Sequence, residues 1–557
     1  MTASANIARH LAAYAASNPR QVALKIPRGR RAGRIDYLAL SYAELSAEVA
    51  AQRARLAAAG LRPGDRALVM VRQGLPLLAT VFALFELGAL PVVIDPGMGR
   101  ENFLRCVARS RPRALVGIPA ARLASWLFRG SFRSVEIRLA VSGTATARLT
   151  APGAIRPASA PEALPRAPGD PAAILFTSGS TGAPKGVRYT HGQFDAQVQL
   201  IRNAYSIEPG EIDLPLLPLF ALFAPALGLT TIVPELDPSR PGRADPAKLA
   251  QAVLQENVTM SFGSPTLWGN LAVHGHRTGL SFPSLRRVLC AGAPVPPWLW
   301  ESLSALLPNG RLHSPYGATE ALPVATISAA EVVNETAAAT RTGAGACVGH
   351  ILPGNMVKII APVDGLIRTL ADAFELAPGQ IGEIIVAGPT VTLDYDGLPE
   401  ATASAKIPAP DGVVFHRLGD LGYIDANGRL WFVGRKVETV YTARGPLYPA
   451  QVEPLFDSHP EIRRVALVSS GSPGRHRPCL VAEPVNPKLL PDSAECRRLT
   501  RDLRQIALSH EHTAQIKTFY FHPSFPVDVR HNAKIHRLAL ARWVADGATG
   551  FESDPKR

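Results

Sequence analysis

Cysteine is scarce in this 557-residue chain. The five residues, Cys106, Cys290, Cys347, Cys479 and Cys496, are odd in number, far apart and never spaced as CxxC. That argues against a disulfide framework or a structural zinc, and for a reducing compartment. Long hydrophobic runs are lacking too. The most apolar stretch, Leu75 to Ile94, is interrupted by Glu86, Gly88 and Pro91, whereas a membrane span needs about 20 uninterrupted apolar residues. It reads as a buried helix running into a buried strand. Met1 to Arg9 shows no basic start followed by an apolar run, so no secretory signal is visible and a soluble cytoplasmic protein is expected. No repeat of roughly 20–50 residues marks a solenoid or propeller. Charged residues are few, at 19 %, against 47 % hydrophobic, which allows large cores and excludes global disorder. The net charge of +14 is spread thinly, apart from Arg28, Arg30, Arg31 and Arg34 in one early loop. With no basic–aromatic stripe or reader motif, it reads as solvated charge, and no nucleic-acid partner is expected.

What is present alternates between helical and strand patterns. Ser41 opens a capping box with Glu44 before a helix running to about Gly60. Arg66–Val71 reads as a buried strand, Leu75–Leu87 as a helix and Ala89–Ile94 as another strand. This βαβ rhythm implies parallel sheets covered on both faces. Ala151 to Asp170, rich in alanine and proline, is a surface connection before the strand Ala172–Phe176. Beyond about Lys436 the texture changes to short strands (Arg464–Val468, Cys479–Ala482), a charged helix (Ser493–Ser509) and a final helix (Ile535–Ala545). The expected architecture is α/β: a large N-terminal part, 1–436, built from several subdomains, and a small mobile α+β part, 437–557.

The strongest chemical signal is the strand-to-loop run Thr177, Ser178, Gly179, Ser180, Thr181, Gly182, ending at Lys185. Glycines let backbone N–H groups approach an anion, hydroxyls add donors and the lysine adds a point charge, so the run is a phosphate cradle. It is not a Walker A loop, because Gly186 follows the lysine where that loop needs Ser or Thr.

The loop resembles the phosphate loop of the adenylate-forming superfamily of acyl-CoA synthetases, peptide-synthetase adenylation domains and luciferases. Four further blocks follow in that family's order, and the likeness runs from about residue 6 to 545. Gly292, Ala293 and Pro294 match the segment along one face of adenine. Tyr316, Gly317, Thr319 and Glu320 match the motif whose ring stacks on adenine, whose Thr meets the α-phosphate and whose Glu holds Mg²⁺. Asp420 and Arg435 stand where the family holds the ribose hydroxyls, and Lys534 where it carries its C-terminal catalytic lysine. Taken singly, Asp420 reads as a turn residue, Tyr316 as core and Lys534 as a solvated lysine; only the set outweighs those readings. The resemblance implies ATP and Mg²⁺, with Lys185, Thr319, Glu320 and Lys534 as catalytic residues. A carboxylate and a triphosphate are both anions, and cations must neutralise them before the acid can attack the α-phosphorus.

Several positions depart from the common pattern. Ala221 replaces the histidine often found near the acyl site, Ala533 the usual glycine before the lysine, and Val437 the acidic or basic hinge residue. The loop from Thr439 to Gly445 is also rewritten, which weakens the case for a thiol-accepting half-reaction. The segments Leu217–Gly228, Cys290–Pro297, Ser314–Val324 and Val527–Ile535 instead resemble the olefin β-lactone synthetases of bacterial long-chain olefin biosynthesis. That likeness implies a 2-alkyl-3-hydroxy long-chain acid, activated as its adenylate and closed by its own 3-hydroxyl to a β-lactone. Other enzymes of that pathway, a β-lactone decarboxylase and a ketoacid reductase, are the partners it implies. The alternative is a long-chain fatty acyl-CoA or acyl-AMP ligase. A non-catalytic scaffold is disfavoured by the intact set of charged site residues. His350 is either a base for ring closure or, as is commoner, a structural loop histidine.

Overall fold

The computed structural model describes residues 4–141, 163–177, 183–238, 240–470, 477–490, 492–527 and 534–552. Among them, seven strands form one sheet in the order Asp394–Tyr395, Lys185–Thr190, Pro171–Thr177, Leu90–Ile94, Arg66–Met70, Ala114–Gly117, Ile137–Ala140. From Pro171–Thr177 to Ile137–Ala140 all pairings are parallel, as the βαβ rhythm implies. The apolar stretch resolves as expected into the helix Leu75–Leu87, ended by Gly88 at φ +72°, and the strand Leu90–Ile94. Glu86 inside that helix is buried, its carboxyl pushed up to about 7 by desolvation, with Arg53 3.6 Å away. No described helix is long and apolar enough to cross a membrane. The capping box forms as read: Ser41 accepts from the Glu44 amide, and the Glu44 carboxylate accepts from the Ser41 amide at 2.7 Å. Of the Ala151–Asp170 connection, residues 151–162 lie outside the described residues.

The second sheet, fourteen strands among the described residues, is parallel only from Val22–Arg31 through Thr230–Ile232, Ile212–Asp213, Met260–Gly263 and Arg287–Cys290 to Arg311–Ala318. Beyond Arg311–Ala318 it continues antiparallel through Ala321–Ser328, Ala346–Ile351, Arg429–Arg435 and Val414–Ile424. The expectation of parallel sheets is thus met in part. Ala318 and Ala321 are paired across a two-residue connection, too short for a crossover, so that strand must turn back on its neighbour.

After Val440–Thr442 a four-stranded sheet forms from Ile462–Ser470, Arg477–Pro484, Thr518–Phe521 and Gly550–Glu552. The helices Ser493–Leu508 and Arg537–Ala545 accompany it. Its two apolar clusters draw only on residues from Val440 onward, one around Leu480, Leu503 and Phe519, the other around Val481, Phe525 and Leu540. A cleft of about 2750 Å³ lies between this unit and the C-terminal ends of the parallel strands in both larger sheets, where open α/β sheets bind ligands.

Candidate active site

Local geometry puts the central motif at a hairpin tip. With Ala318 opposite Ala321, Thr319 and Glu320 are the turn itself and project into the cleft. Gly317 permits this tight return, since a Cβ there would sit 2.4 Å from the Ala321 carbonyl oxygen. Tyr316, one residue earlier, donates its hydroxyl to Asp420 Oδ2 at 2.7 Å. Burial, then the Asp420 charge, hold that phenol well above its ordinary pKa, so it stays a donor.

Asp420 is itself buried and lies directly opposite Arg435 in the strand pair. Arg435 Nε is 3.3 Å from Oδ1, yet Oδ1 accepts no hydrogen bond among the described residues. Gly292, Ala293 and Pro294 line the same cleft just beyond the strand Arg287–Cys290. Gly292 turns there at φ +95°, a left-handed conformation glycine adopts without strain.

On the other side of the hairpin, Lys185 Nζ stands 4.7 Å over the Tyr395 ring, and the Tyr395 hydroxyl donates to Glu320 Oε1 at 2.7 Å. The Glu320 carbonyl accepts from the Thr392 amide at 2.9 Å and from the Thr392 hydroxyl at 3.2 Å. The Thr319 carbonyl accepts from the Tyr189 hydroxyl. Behind them, buried Lys406 donates to the Thr392 carbonyl, and desolvation pulls its pKa down to about 8. His416, also buried, is kept neutral well below its usual pKa by desolvation, then by Lys406. None of Tyr189, Thr392, Tyr395, Lys406 and His416 is readable from the sequence as a site residue. They lie outside its motifs, and no local periodicity distinguishes them from core residues.

Lys534 reaches the cleft from the C-terminal unit. Its charge, like that of Arg435, acts on buried Glu438. Three residues on, Arg537 Nε bonds Glu453 Oε1 at 2.6 Å and Nη2 bonds Oε2 at 2.5 Å, while Nη1 reaches Glu438 Oε2 at 3.0 Å. The segment bearing Lys534 is thus clamped beside the 3₁₀ turn Lys436–Glu438, which contains the exposed Val437.

His350 is not in a loop, contrary to expectation. It sits on the strand Ala346–Ile351, exposed, its Nε2 3.7 Å from Glu331 Oε1, and it does not line the cleft. Ser178, Gly179, Ser180, Thr181 and Gly182 lie outside the described residues, as does the Thr177 side chain. Thr177 and Lys185 are nevertheless paired across that connection. Ala221 is buried in the 3₁₀ turn Pro218–Leu222, where Phe220 stacks on Phe262 at 3.5 Å along the apolar arm of the cleft.

Residues 11–396 match the family described as AMP-binding enzyme. The chain is 45 % identical over 557 residues, 98 % of both chains, to an olefin beta-lactone synthetase of Xanthomonas campestris pv. campestris. It is 44 % identical to an olefin beta-lactone synthetase of Stenotrophomonas maltophilia, covering 98 % of this chain and 99 % of that one. Among solved structures it resembles ATP-bound MatB from Rhodopseudomonas palustris, with a TM-score of 0.77 at 22 % identity over 98 % of this chain and 99 % of that one.

Proposed function

The chain belongs to the AMP-binding enzyme family, and from that premise we propose that it converts a 2-alkyl-3-hydroxy long-chain acid and ATP to a β-lactone, AMP and pyrophosphate. The observation that carries this reading is the end-to-end identity of 45 % with a protein named olefin beta-lactone synthetase. The proposed division is 1–436 for the adenylating part and 437–557 for a lid carrying Lys534, with the boundary just after Lys436. The proposed location is cytoplasmic, and the proposed assembly partners are a β-lactone decarboxylase and a ketoacid reductase of the same pathway.

The site's own chemistry supports the roles. Asp420 Oδ1, buried and without a hydrogen-bond donor among the described residues, suits a ribose hydroxyl, with the Arg435 guanidinium beside it. Tyr316 and the Gly292–Pro294 turn offer the flat walls an adenine needs. Lys185 takes the β- and γ-phosphates, with the 178–182 loop as proposed cradle. Glu320, whose carboxylate projects into the cleft, would hold a Mg²⁺ ion beside the triphosphate; among the described residues no three His, Cys, Asp or Glu side chains gather as a metal cluster. Such an ion supplies charge neutralisation along the triphosphate. Tyr395 fixes the Glu320 carboxylate by its hydrogen bond.

In the first step a carboxylate oxygen attacks the α-phosphorus and pyrophosphate departs, with Lys534 bridging the two anions. In the second the 3-hydroxyl oxygen attacks the acyl carbon, the bond to AMP breaks and the hydroxyl proton is released. Ring strain opposes closure, but nucleophile and carbonyl share one molecule, an arrangement that contributes ~7–11 kcal/mol towards such barriers. Mass spectrometry of the products from ATP and the hydroxy acid, with and without CoA, tests the reading. A β-lactone formed without CoA is expected; a CoA thioester in its place would assign the chain to the acyl-CoA ligases.

A further inference from the structure

The helix Pro119–Leu127 buries Ala121 and Ser125 but turns three large apolar side chains outward at i, i+3 and i+4. Leu123 is 61 % exposed, Trp126 56 % and Leu127 70 %. Scattered exposed apolar residues are ordinary, but two leucines and a tryptophan on one helical face form a stripe. The flanks are basic. Arg129 and Arg138 stand 5.2 and 5.6 Å from the Trp126 ring centroid, and Arg122 and Arg133 are exposed nearby. Between Pro119 and Arg138 the single acid is Glu136, and Arg113 neutralises it at 2.8 Å.

An apolar stripe with a tryptophan, rimmed by arginines and almost free of acids, has the chemistry of a helix lying in a lipid interface. The leucines enter the acyl boundary, the indole sits at headgroup depth and the guanidiniums meet anionic phosphates. Placement favours the same occupant: Ile118, the residue capping the helix start, is itself a wall of the cleft. We propose that this face docks the enzyme on an anionic lipid bilayer, from which its long-chain acid is taken. The docking is independent of which acyl chemistry the site performs. A protein partner would need complementary acidic and apolar groups on the same face, and the vesicle measurement separates the two.

The test is co-sedimentation of the full chain with vesicles of phosphatidylcholine mixed with phosphatidylglycerol, and with vesicles of phosphatidylcholine alone. Binding is expected to the anionic vesicles and to weaken as salt is raised. The double variant W126E/L127E should lower the partition coefficient by at least ~10-fold, the scale of withholding one large apolar side chain from the interface. R129E/R133E should remove the preference for anionic lipid. None of these four residues lines the cleft, so ATP–pyrophosphate exchange on a detergent-dispersed acid should persist in both variants and report intact folding. Absence of wild-type binding to either vesicle, as a protein-docking face would give, overturns the proposal. So does binding that both folded variants retain in full.

Discussion

Asp213 stands in the middle of the larger sheet with its Oδ1 meeting no donor among the described residues, and desolvation pushes its carboxyl up to about 8. The unfolded chain releases that proton near the ordinary carboxylate value of about 4. Between those two values the folded state holds the extra proton, so the group's contribution to stability falls as pH rises, and the loss is complete above about 8. Asp213→Asn keeps the shape and removes the titration. Its thermal midpoint should exceed the parent's by more at pH 8 than at pH 5; a parallel pH dependence in the two proteins would show that Asp213 is ionised and satisfied. Lys185 and Glu320 are the residues proposed to carry the triphosphate chemistry. Lys185→Ala and Glu320→Ala should each slow adenylate formation by at least ~10²-fold, the scale of one lost preorganised charge contact. Pyrophosphate release at the parental rate would remove the assigned roles.

At the scale of elements, the site is assembled by two devices. The first is register: Asp420 faces Arg435 because their strands pair antiparallel, and Tyr316 reaches the same carboxylate from the neighbouring hairpin. The second is the Arg537 clamp, which fastens the end of the Lys534 segment to Glu453 and to Glu438 within the turn Lys436–Glu438. A lysine cannot reproduce that two-carboxylate fork. Arg537→Lys should therefore reduce adenylation kcat by at least ~10-fold, the scale of a lost charge-assisted hydrogen bond, with the ATP KM little changed because the nucleotide's own contacts are untouched. A raised KM at constant kcat in the pyrophosphate-exchange assay would instead place Arg537 in nucleotide binding.

For the molecule as a whole, a β-lactone synthetase and an acyl-CoA ligase part company only after the adenylate has formed. A 2-alkyl acid without the 3-hydroxyl should still be activated, then stall as bound adenylate after one burst of pyrophosphate. CoA should not rescue it, given Val437 in the hinge turn and the short hairpin Val440–Thr442 with Gly445–Leu447 in place of the family's usual segment. The hydroxylated acid should turn over repeatedly, because ring closure frees AMP. Steady thioester formation from the deoxy acid would sink the lactone reading.

Features carried by neighbouring residues were legible from the sequence alone. The Ser41–Glu44 cap and the helix-then-strand reading of Leu75–Ile94 depend on contacts within a turn or two, and local composition is enough to specify those, whereas the Thr319–Glu320 pair was legible only through the family resemblance. The parallel rhythm was legible where helices separate the strands, and was lost where short hairpins reverse the chain beyond Arg311–Ala318. What tertiary structure alone decided lies across long separations. Tyr316 meets Asp420 across 104 positions and Tyr395 meets Glu320 across 75. Buried Lys406 and His416 stand behind them with pKa values lowered by desolvation. His350, which the sequence left open as a base, is exposed on the strand Ala346–Ile351 and does not line the cleft, although Ala346, Cys347 and Val348 of that strand do. The reason is physical: pairing register and burial depend on which distant segments share a sheet face, and no local pattern encodes the dielectric around a side chain.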